Sequence, residues 1–309
     1  MILTVTLNPA VDFTVFGAPF VPHRTNRGRP IAPDPGGKGN NAARVAKSLG
    51  AEVTATGFLG GFTGEFIDKS LKAEGIESSF VTISGTTRFT AAYIEEGTGA
   101  ETKIVPDGPG ITGREAEDFT AHYGGLIGSG RFSIVVLSGS LPACLPDDFY
   151  GSLIEAAGRG GIPVILDTSG RSLAAAVGWS PFMIKPNLVE AGELAGTDER
   201  DAIVRYLAGL SGTIPVIALT LGKQGALFIS ADRTVSVGTC LTDAVNPVGA
   251  GDAFIGGFAA AYDRFRDNRD LLYRWAAGAG TACARSAGLL FSRDAFEEAV
   301  GSLVVEVIA

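Results

Sequence analysis

Short apolar runs alternating with helix-spaced segments constrain this chain more than any other feature. Residues 2–7, 53–58, 134–137, 164–166, 183–184 and 216–219 are runs of aliphatic and small residues that fit buried strands. Segments 41–49, 64–74, 147–157 and 201–210 carry apolar residues at helical spacing between them. Repeated alternation of this kind predicts an α/β architecture with a mainly parallel central sheet. Two stretches break the rhythm. Residues 12–35 are rich in Pro, Arg and Gly, and 88–105 read as paired strands around a Gly97-Thr98-Gly99 turn. They predict a small β-rich lobe inserted in a single domain spanning 1–309. After Gly249 the pattern is almost wholly helical, through 253–264, 271–287 and 294–303.

Composition narrows the function classes. The net charge of −8 argues against a nucleic-acid binder dominated by phosphate contacts. No run of about 18 uncharged apolar residues is present, so no membrane-spanning helix is expected. Cys144, Cys240 and Cys283 are far apart and odd in number, and the only histidines are His23 and His122. A disulfide framework or structural zinc site is not expected, and a cytoplasmic location fits the cysteine usage. The 43 glycines are close to twice the usual share of about 7% and need an explanation.

Parallel sheets keep their ligand sites at the carboxyl ends of their strands, so the loops there carry the chemistry. The Walker P-loop is absent, since Lys38 precedes Gly39 and Lys223 precedes Gln224. G-x-S-x-G is absent too, which weakens a triad hydrolase reading. Gly249-Ala250-Gly251-Asp252 immediately precedes a helix-spaced apolar segment. Glycines before a helix let backbone N–H groups converge as an anion hole, with the helix dipole adding to the field. Asp252 beside it is placed to accept a hydroxyl proton; an ordinary glycine turn with a first-turn Asp is the other reading.

Gly36-Gly37-Lys38-Gly39-Asn40-Asn41 opens a second helix, and Arg24, Arg27, Arg29, Lys38 and Arg44 form a local cationic cluster against one acid, Asp34. Such a cluster, with Arg88 joining it, suits a phosphorylated small substrate, although a solvated basic face has the same composition. Lys185-Pro186-Asn187 follows a strand, and Asn187 with Glu190 has capping-box spacing. Thr220, Gly222 and Gly225 mark a strand end that could lie against a flat ligand or form a plain hairpin. Ser138 and Asp12 occupy strand ends of the same kind, and Asp12 could bind sugar hydroxyls.

These ordered motifs resemble the ribokinase-like sugar kinases of the PfkB family. Gly36-Gly37-Lys38-Gly39-Asn40-Asn41-Ala42 and Asn246-Pro247-Val248-Gly249-Ala250-Gly251-Asp252 match its two motifs. Gly57-Phe58-Leu59-Gly60-Gly61, Ser138-Gly139-Ser140-Leu141-Pro142 and Lys185-Pro186-Asn187 keep its order and spacing. Asn8-Pro9 and Gly-Gly-Lys-Gly resemble the phosphosugar branch: 1-phosphofructokinase, tagatose-6-phosphate kinase and the minor 6-phosphofructokinase. The chain departs from the pattern at Asn40, Ala42, Asn246 and Pro247.

The resemblance implies a three-layer α/β/α sandwich with a small β-sheet lid from about 12–35 and 88–105. It implies Asp252 as catalytic base, with Gly249, Ala250 and Gly251 as anion hole. Asp12, Arg27, Gly36, Gly37, Lys38, Asn41, Arg88 and Ser138 would bind a sugar phosphate. Lys185, Asn187, Thr220, Gly222 and Gly225 would line an ATP site, with Glu190 placing Mg²⁺ indirectly. The expected activity is ATP-dependent phosphorylation of a ketohexose phosphate, fructose 1-phosphate first, by a homodimer joined through the lid. A kinase for an unphosphorylated sugar or nucleoside and a noncatalytic sugar-phosphate sensor are the rivals.

Overall fold

The protein, described by a computed structural model over residues 1–239 and 244–308, has two sheets of unequal size. Its strands begin with β1 (Ile2–Thr6), β2 (Ala10–Gly17), β3 (Gly28–Pro30), β4 (Asp34–Gly36) and β5 (Val53–Leu59). β6 (Glu77–Ser78), β7 (Val81–Thr82), β8 (Arg88–Glu95), β9 (Glu101–Ile104) and β10 (Ile134–Ser138) follow. β11 (Val164–Asp167), β12 (Met183–Ile184), β13 (Val216–Thr220), β14 (Ala226–Ile229), β15 (Thr234–Thr239) and β16 (Leu303–Val307) complete them. The helices are α1 (Lys38–Ser48), α2 (Gly61–Ala73), α3 (Gly113–Gly128), α4 (Phe149–Arg159) and α5 (Gly170–Val177). Then come α6 (Leu188–Ala195), α7 (Arg200–Leu210), α8 (Ala250–Phe265), α9 (Arg269–Ala284) and α10 (Arg293–Gly301).

The large sheet runs β16-β15-β14-β13-β12-β11-β10-β1-β5-β6, with β7 also on β5. Pairing is parallel from β6 through β13 and antiparallel from β13 through β16. Every residue of β1, β5, β10 and β11 is buried, as expected for parallel strands covered on both faces. Alternation along the strands separates two cores. Ile2, Ile134, Val136 and Ile165 face a core shared with α1, α2, α8, α9 and α10. Leu3, Val5, Val135, Leu137 and Leu166 face the other, shared with α3 to α7. In this second core Phe119 packs against Phe58 with the rings tilted, their centres 4.9 Å apart. These are the three layers that the resemblance implies, built on the mainly parallel sheet that the alternation predicts.

The smaller sheet runs β3-β2-β8-β9, with β4 also on β2. It grows out of the carboxyl end of β1 and contains both stretches that break the strand–helix rhythm. β2 and β8 pair in parallel, Ala10 opposite Arg88 and Asp12 opposite Thr90.

Two departures from the sequence reading concern the edge of the large sheet. β14 to β16 extend it by antiparallel strands, and β16 follows α10 where the helical pattern was expected to run to 303. Its Leu-Val-Val-Glu-Val is too short to announce a strand beside a helix, and pairing with β15 decides its conformation. Helix α3 was also passed over, although Thr112 and Glu115 cap it with a reciprocal capping box.

One packing contact sets the site. A Cβ at Gly256 would lie 2.6 Å from the Ala42 carbonyl oxygen, so α8 approaches α1 at backbone distance. Gly256→Ala forces the helices apart. It should cost about 1–3 kcal/mol and lower kcat, because the first turns of these helices meet across the site. Paired thermal unfolding and rate measurements check this, and an unperturbed variant on both counts contradicts it.

Candidate active site

The start of α8 is built from a left-handed Gly249 (φ 83°) that turns the chain into the helix. Val248 donates its amide to Asn246 Oδ1 at 3.0 Å, and the Val245 and Asn246 amides bond the Ala284 carbonyl at the end of α9. Asn246, a departure from the family motif, therefore braces the loop. The Ala250 amide already bonds the Pro247 carbonyl at 3.2 Å. This amide is therefore engaged within the turn. The Gly251 and Asp252 amides meet no acceptor among the described residues and point out of the helix start, as unpaired first-turn donors do.

Asp252 is buried, and Asn41 Nδ2 donates to its Oδ2 at 2.7 Å. Burial pushes its carboxyl up to about 6, with repulsion from Asp167 adding to the rise. The Asn41 bond and the charges of Lys38 and Lys185 pull the other way. A carboxyl poised near neutrality beside open amides can take a proton from a hydroxyl while the amides hold an anion.

Asp167 is the group that the sequence reading missed. It ends β11, is 1% exposed, and lies 3.1 Å from Lys185 Nζ and 3.8 Å from Lys38 Nζ. Ser138 Oγ donates to its Oδ2 at 3.0 Å. Burial alone would raise this carboxyl, but the two ammonium groups and the hydrogen bonds outweigh it and hold it below the usual range. Burial likewise opposes the charge on Lys185, and Asp167 outweighs it, so the lysine is held above its usual value. A Cβ on Gly251 would lie 3.5 Å from Lys185 Nζ, which places this ammonium beside the open amides.

Thr220, Lys185, Asp167, Ser138 and Asn8 stand in that order at the carboxyl ends of β13, β12, β11, β10 and β1. On the β1 side, Asp12 bonds Thr90 Oγ1, and a Cβ on Gly36 would strike the Asp12 carboxylate. Burial raises the Asp12 carboxyl from its ordinary value. Asn40, another departure, accepts from Thr6 Oγ1 at 3.1 Å and donates to the Gly36 carbonyl at 2.9 Å, pinning the glycine loop from behind. Gly37 stands at φ 109° just before α1, and Lys38 and Asn41 lie in the helix's first turn. Arg88 donates to the Asn8 and Pro106 carbonyls, and its buried Nε has no partner.

The cationic cluster is only partly assembled. Arg44 is turned inward, bonded through Nε to both Glu74 oxygens and through Nη2 to Asp34, so it is not a ligand for a phosphate. Arg29 lies 3.8 Å from Glu96. Arg27 is exposed on the segment before β3.

On the β13 side, Asn187 and Glu190 form the capping box of α6, each accepting the other's amide at 2.9 Å. Thr220 donates its amide to the Pro186 carbonyl, bringing the ends of β12 and β13 together. Gly222 is open and left-handed, φ 57°. Gly225 is needed structurally, since a Cβ there would lie 2.1 Å from the Val237 carbonyl in the β14–β15 pairing. Among the described residues no cluster of three His, Cys, Asp or Glu could cage a metal. Cys144 and Cys283 are free thiols, Cys240 lies outside the described residues, and no described helix is long and apolar enough to cross a membrane.

The chain is similar to known proteins over almost its whole length. The family model for pfkB family carbohydrate kinases matches residues 6–294. Escherichia coli phosphofructokinase-2 in complex with potassium is 29% identical, covering 97% of this chain and 98% of that one at a TM-score of 0.87. The same enzyme in complex with fructose-6-phosphate is 26% identical over the same shares, TM-score 0.84. A possible 1-phosphofructokinase from Thermotoga maritima, 24% identical over 100% of both chains, shares the fold at a TM-score of 0.91. The chain belongs to the pfkB family of carbohydrate kinases. It is a phosphotransferase that acts on a sugar.

Proposed function

We propose that the protein transfers the γ-phosphoryl group of ATP to a hydroxyl of a ketohexose phosphate, fructose 1-phosphate before tagatose 6-phosphate or fructose 6-phosphate. The observation that carries this reading is the position of Asp252. Its carboxylate, held by Asn41, lies between the glycine loop with Asp12 on one side and the Lys185–Asn187–Thr220 edge on the other.

In this reading the sugar lies over the β1 end, with its ring hydroxyls at Asp12 and its phosphate at Lys38 and Arg88, and with Arg27 able to approach from the smaller sheet. Gly36, Gly37, Asn41 and Ser138 shape the floor. ATP lies over Asn187, Thr220, Gly222 and Gly225, with its γ-phosphoryl group at the Gly249 to Gly251 turn and Lys185. Asp252 accepts the proton of the attacking hydroxyl as the oxygen–phosphorus bond forms and ADP leaves. The open Gly251 and Asp252 amides and the Lys185 ammonium bear the charge of the transferring group. Phosphoryl transfer demands little else of a protein than this positioning and charge stabilisation.

Magnesium would enter as part of the ATP substrate. Asp167 is closed to it by its two lysines, whereas Glu190 Oε1 accepts no bond among the described residues and can hold a metal-bound water. A cytoplasmic location is part of the same reading, supported by the two free thiols.

A coupled ADP-release assay over the three ketohexose phosphates and free fructose tests it. The highest kcat/KM is expected for fructose 1-phosphate, and free fructose should be a poor substrate. Equal use of free fructose would remove the phosphate site from the account.

The smaller sheet is read as the lid and as the dimer contact. Residues opposite one another share a face, so Asp12 and Thr90 lie on one side. Phe13, Ala91 and Ile104 form a row on the other, next to Phe89. Phe89 is 55% and Ile104 65% exposed, an apolar sheet face that a second lid would cover. Phe89→Glu/Ile104→Glu should convert a sedimenting dimer to a monomer. A variant that still sediments as a dimer places the contact elsewhere.

A further inference from the structure

Twelve residues along α8 from Asp252, at the far end of the helix, a cavity of about 640 Å³ opens between three segments. Arg233 enters it from the turn between β14 and β15, Arg264 and Arg266 from the end of α8, and Arg269 from the first turn of α9. Asp252 and Arg264 are separated by about 18 Å along the helix axis. In a chain of net charge −8 this is a local reversal of sign.

The arginines are not all neutralised by each other's neighbours. Arg233 pairs with Asp270 at 2.8 Å, and Arg269 holds both Asp232 oxygens. Arg264 and Arg266 meet no carboxylate among the described residues. Their guanidinium carbons lie 5.2 and 5.4 Å from the ring centres of Phe265 and Tyr262, which leaves their N–H donors free. Asp267 is the only wall acid without a cationic partner among the described residues. Arg233 adds a buried Nε that has no acceptor. An unfilled buried donor is costly, and an anion in the cavity would satisfy it. The positive end of α9, whose Leu271 amide is capped by Asn268, begins in the same wall.

We propose that this cavity is a second anion site, remote from phosphoryl transfer, that takes a small phosphate-bearing molecule. Guanidinium forks approaching from several directions match the oxygens of a phosphate group, and each contact is charge-assisted. The two free arginines provide the binding charge, while the Arg233 and Arg269 pairs hold the walls in place. The cavity exists whichever sugar the enzyme accepts.

Isothermal titration of the full chain with magnesium-free inorganic pyrophosphate tests this. Arg264→Ala/Arg266→Ala should lose one equivalent of bound pyrophosphate, or bind it at least about tenfold more weakly. kcat, KM and the unfolding midpoint should stay at wild-type values, since both side chains are exposed and far from the chemistry. Arg264→Lys/Arg266→Lys should recover only part of the binding, because lysine lacks the planar fork. Superimposable isotherms for the wild type and the double alanine variant would overturn the proposal. So would a wild-type isotherm abolished entirely by Lys38→Ala, which would place all binding in the active site.

Discussion

Asp252→Asn should lower kcat by at least about 10² while leaving KM for the sugar almost unchanged. The asparagine is nearly isosteric and can still accept the Asn41 hydrogen bond, so the geometry of the first turn survives. What disappears is the group that, in the proposed reaction, takes the hydroxyl proton. The wild-type enzyme should show the corresponding acid limb. Burial and the Asp167 charge raise the carboxyl to about 6, so kcat should fall as pH drops through that value. The variant should lack the limb.

Stability should move the other way. A carboxyl whose folded value is raised binds its proton more tightly in the folded state. Its ionisation therefore costs stability as pH rises through the interval between 3.8 and about 6. Above that interval the neutral asparagine escapes the cost, and the variant should unfold a few degrees higher. A near wild-type rate, or a rate loss accompanied by a lower unfolding midpoint, would remove Asp252 from this role.

Asp167→Asn should be the most destabilising single change at the site. Lys185 is only 7% exposed, and removing its partner leaves a buried ammonium beside a neutral amide. Breaking a buried pair from one side costs about 3–5 kcal/mol. The unfolding midpoint should fall by about 10 °C. Asp167→Asn/Lys185→Met, which removes both charges, should recover much of that loss and keep the measurement interpretable if the single variant folds poorly. The pH profile gives a readout that a purely structural role would not move. Asp167 repels the Asp252 carboxylate and also offsets the two lysines that stabilise it. With Asp167 neutral, the acid limb of kcat should shift to lower pH, and Asp167→Glu should restore it. An unmoved limb would make Asp167 a packing residue only.

The parts of this site that were readable from sequence share a physical basis. Strands buried on both faces produce uninterrupted apolar runs, so β1, β5, β10, β11, β12 and β13 stood out, and with them the loops at their carboxyl ends. Glycines before helices marked the two loops at Gly36 and Gly249, and Asp252 followed from its place beside one of them. What stayed hidden depends on contacts between distant segments. Asp167 ends the run 164–166 with no motif around it, and only the fold brings Lys38 and Lys185 to it. Arg44 counts as a charge in the sequence, yet Glu74 and Asp34 claim it in the structure. Asn40 and Asn246 depart from the family motif. Both prove to brace glycine loops, one through Thr6 and one through the Val248 amide. The glycine excess has a similar division. Some positions, such as Gly37 and Gly249, form positive-φ turns before helices, and others, such as Gly256 and Gly225, exist because two backbones nearly touch.

The central claim, transfer of the γ-phosphoryl group of ATP to a ketohexose phosphate at Asp252, is tested most directly by phosphorus NMR of the complete reaction. With ATP, Mg²⁺ and fructose 1-phosphate, one new sugar phosphomonoester should appear for each ADP formed, and omission of the sugar should leave ATP almost untouched. Accumulation of ADP and inorganic phosphate without a new sugar phosphomonoester would contradict it.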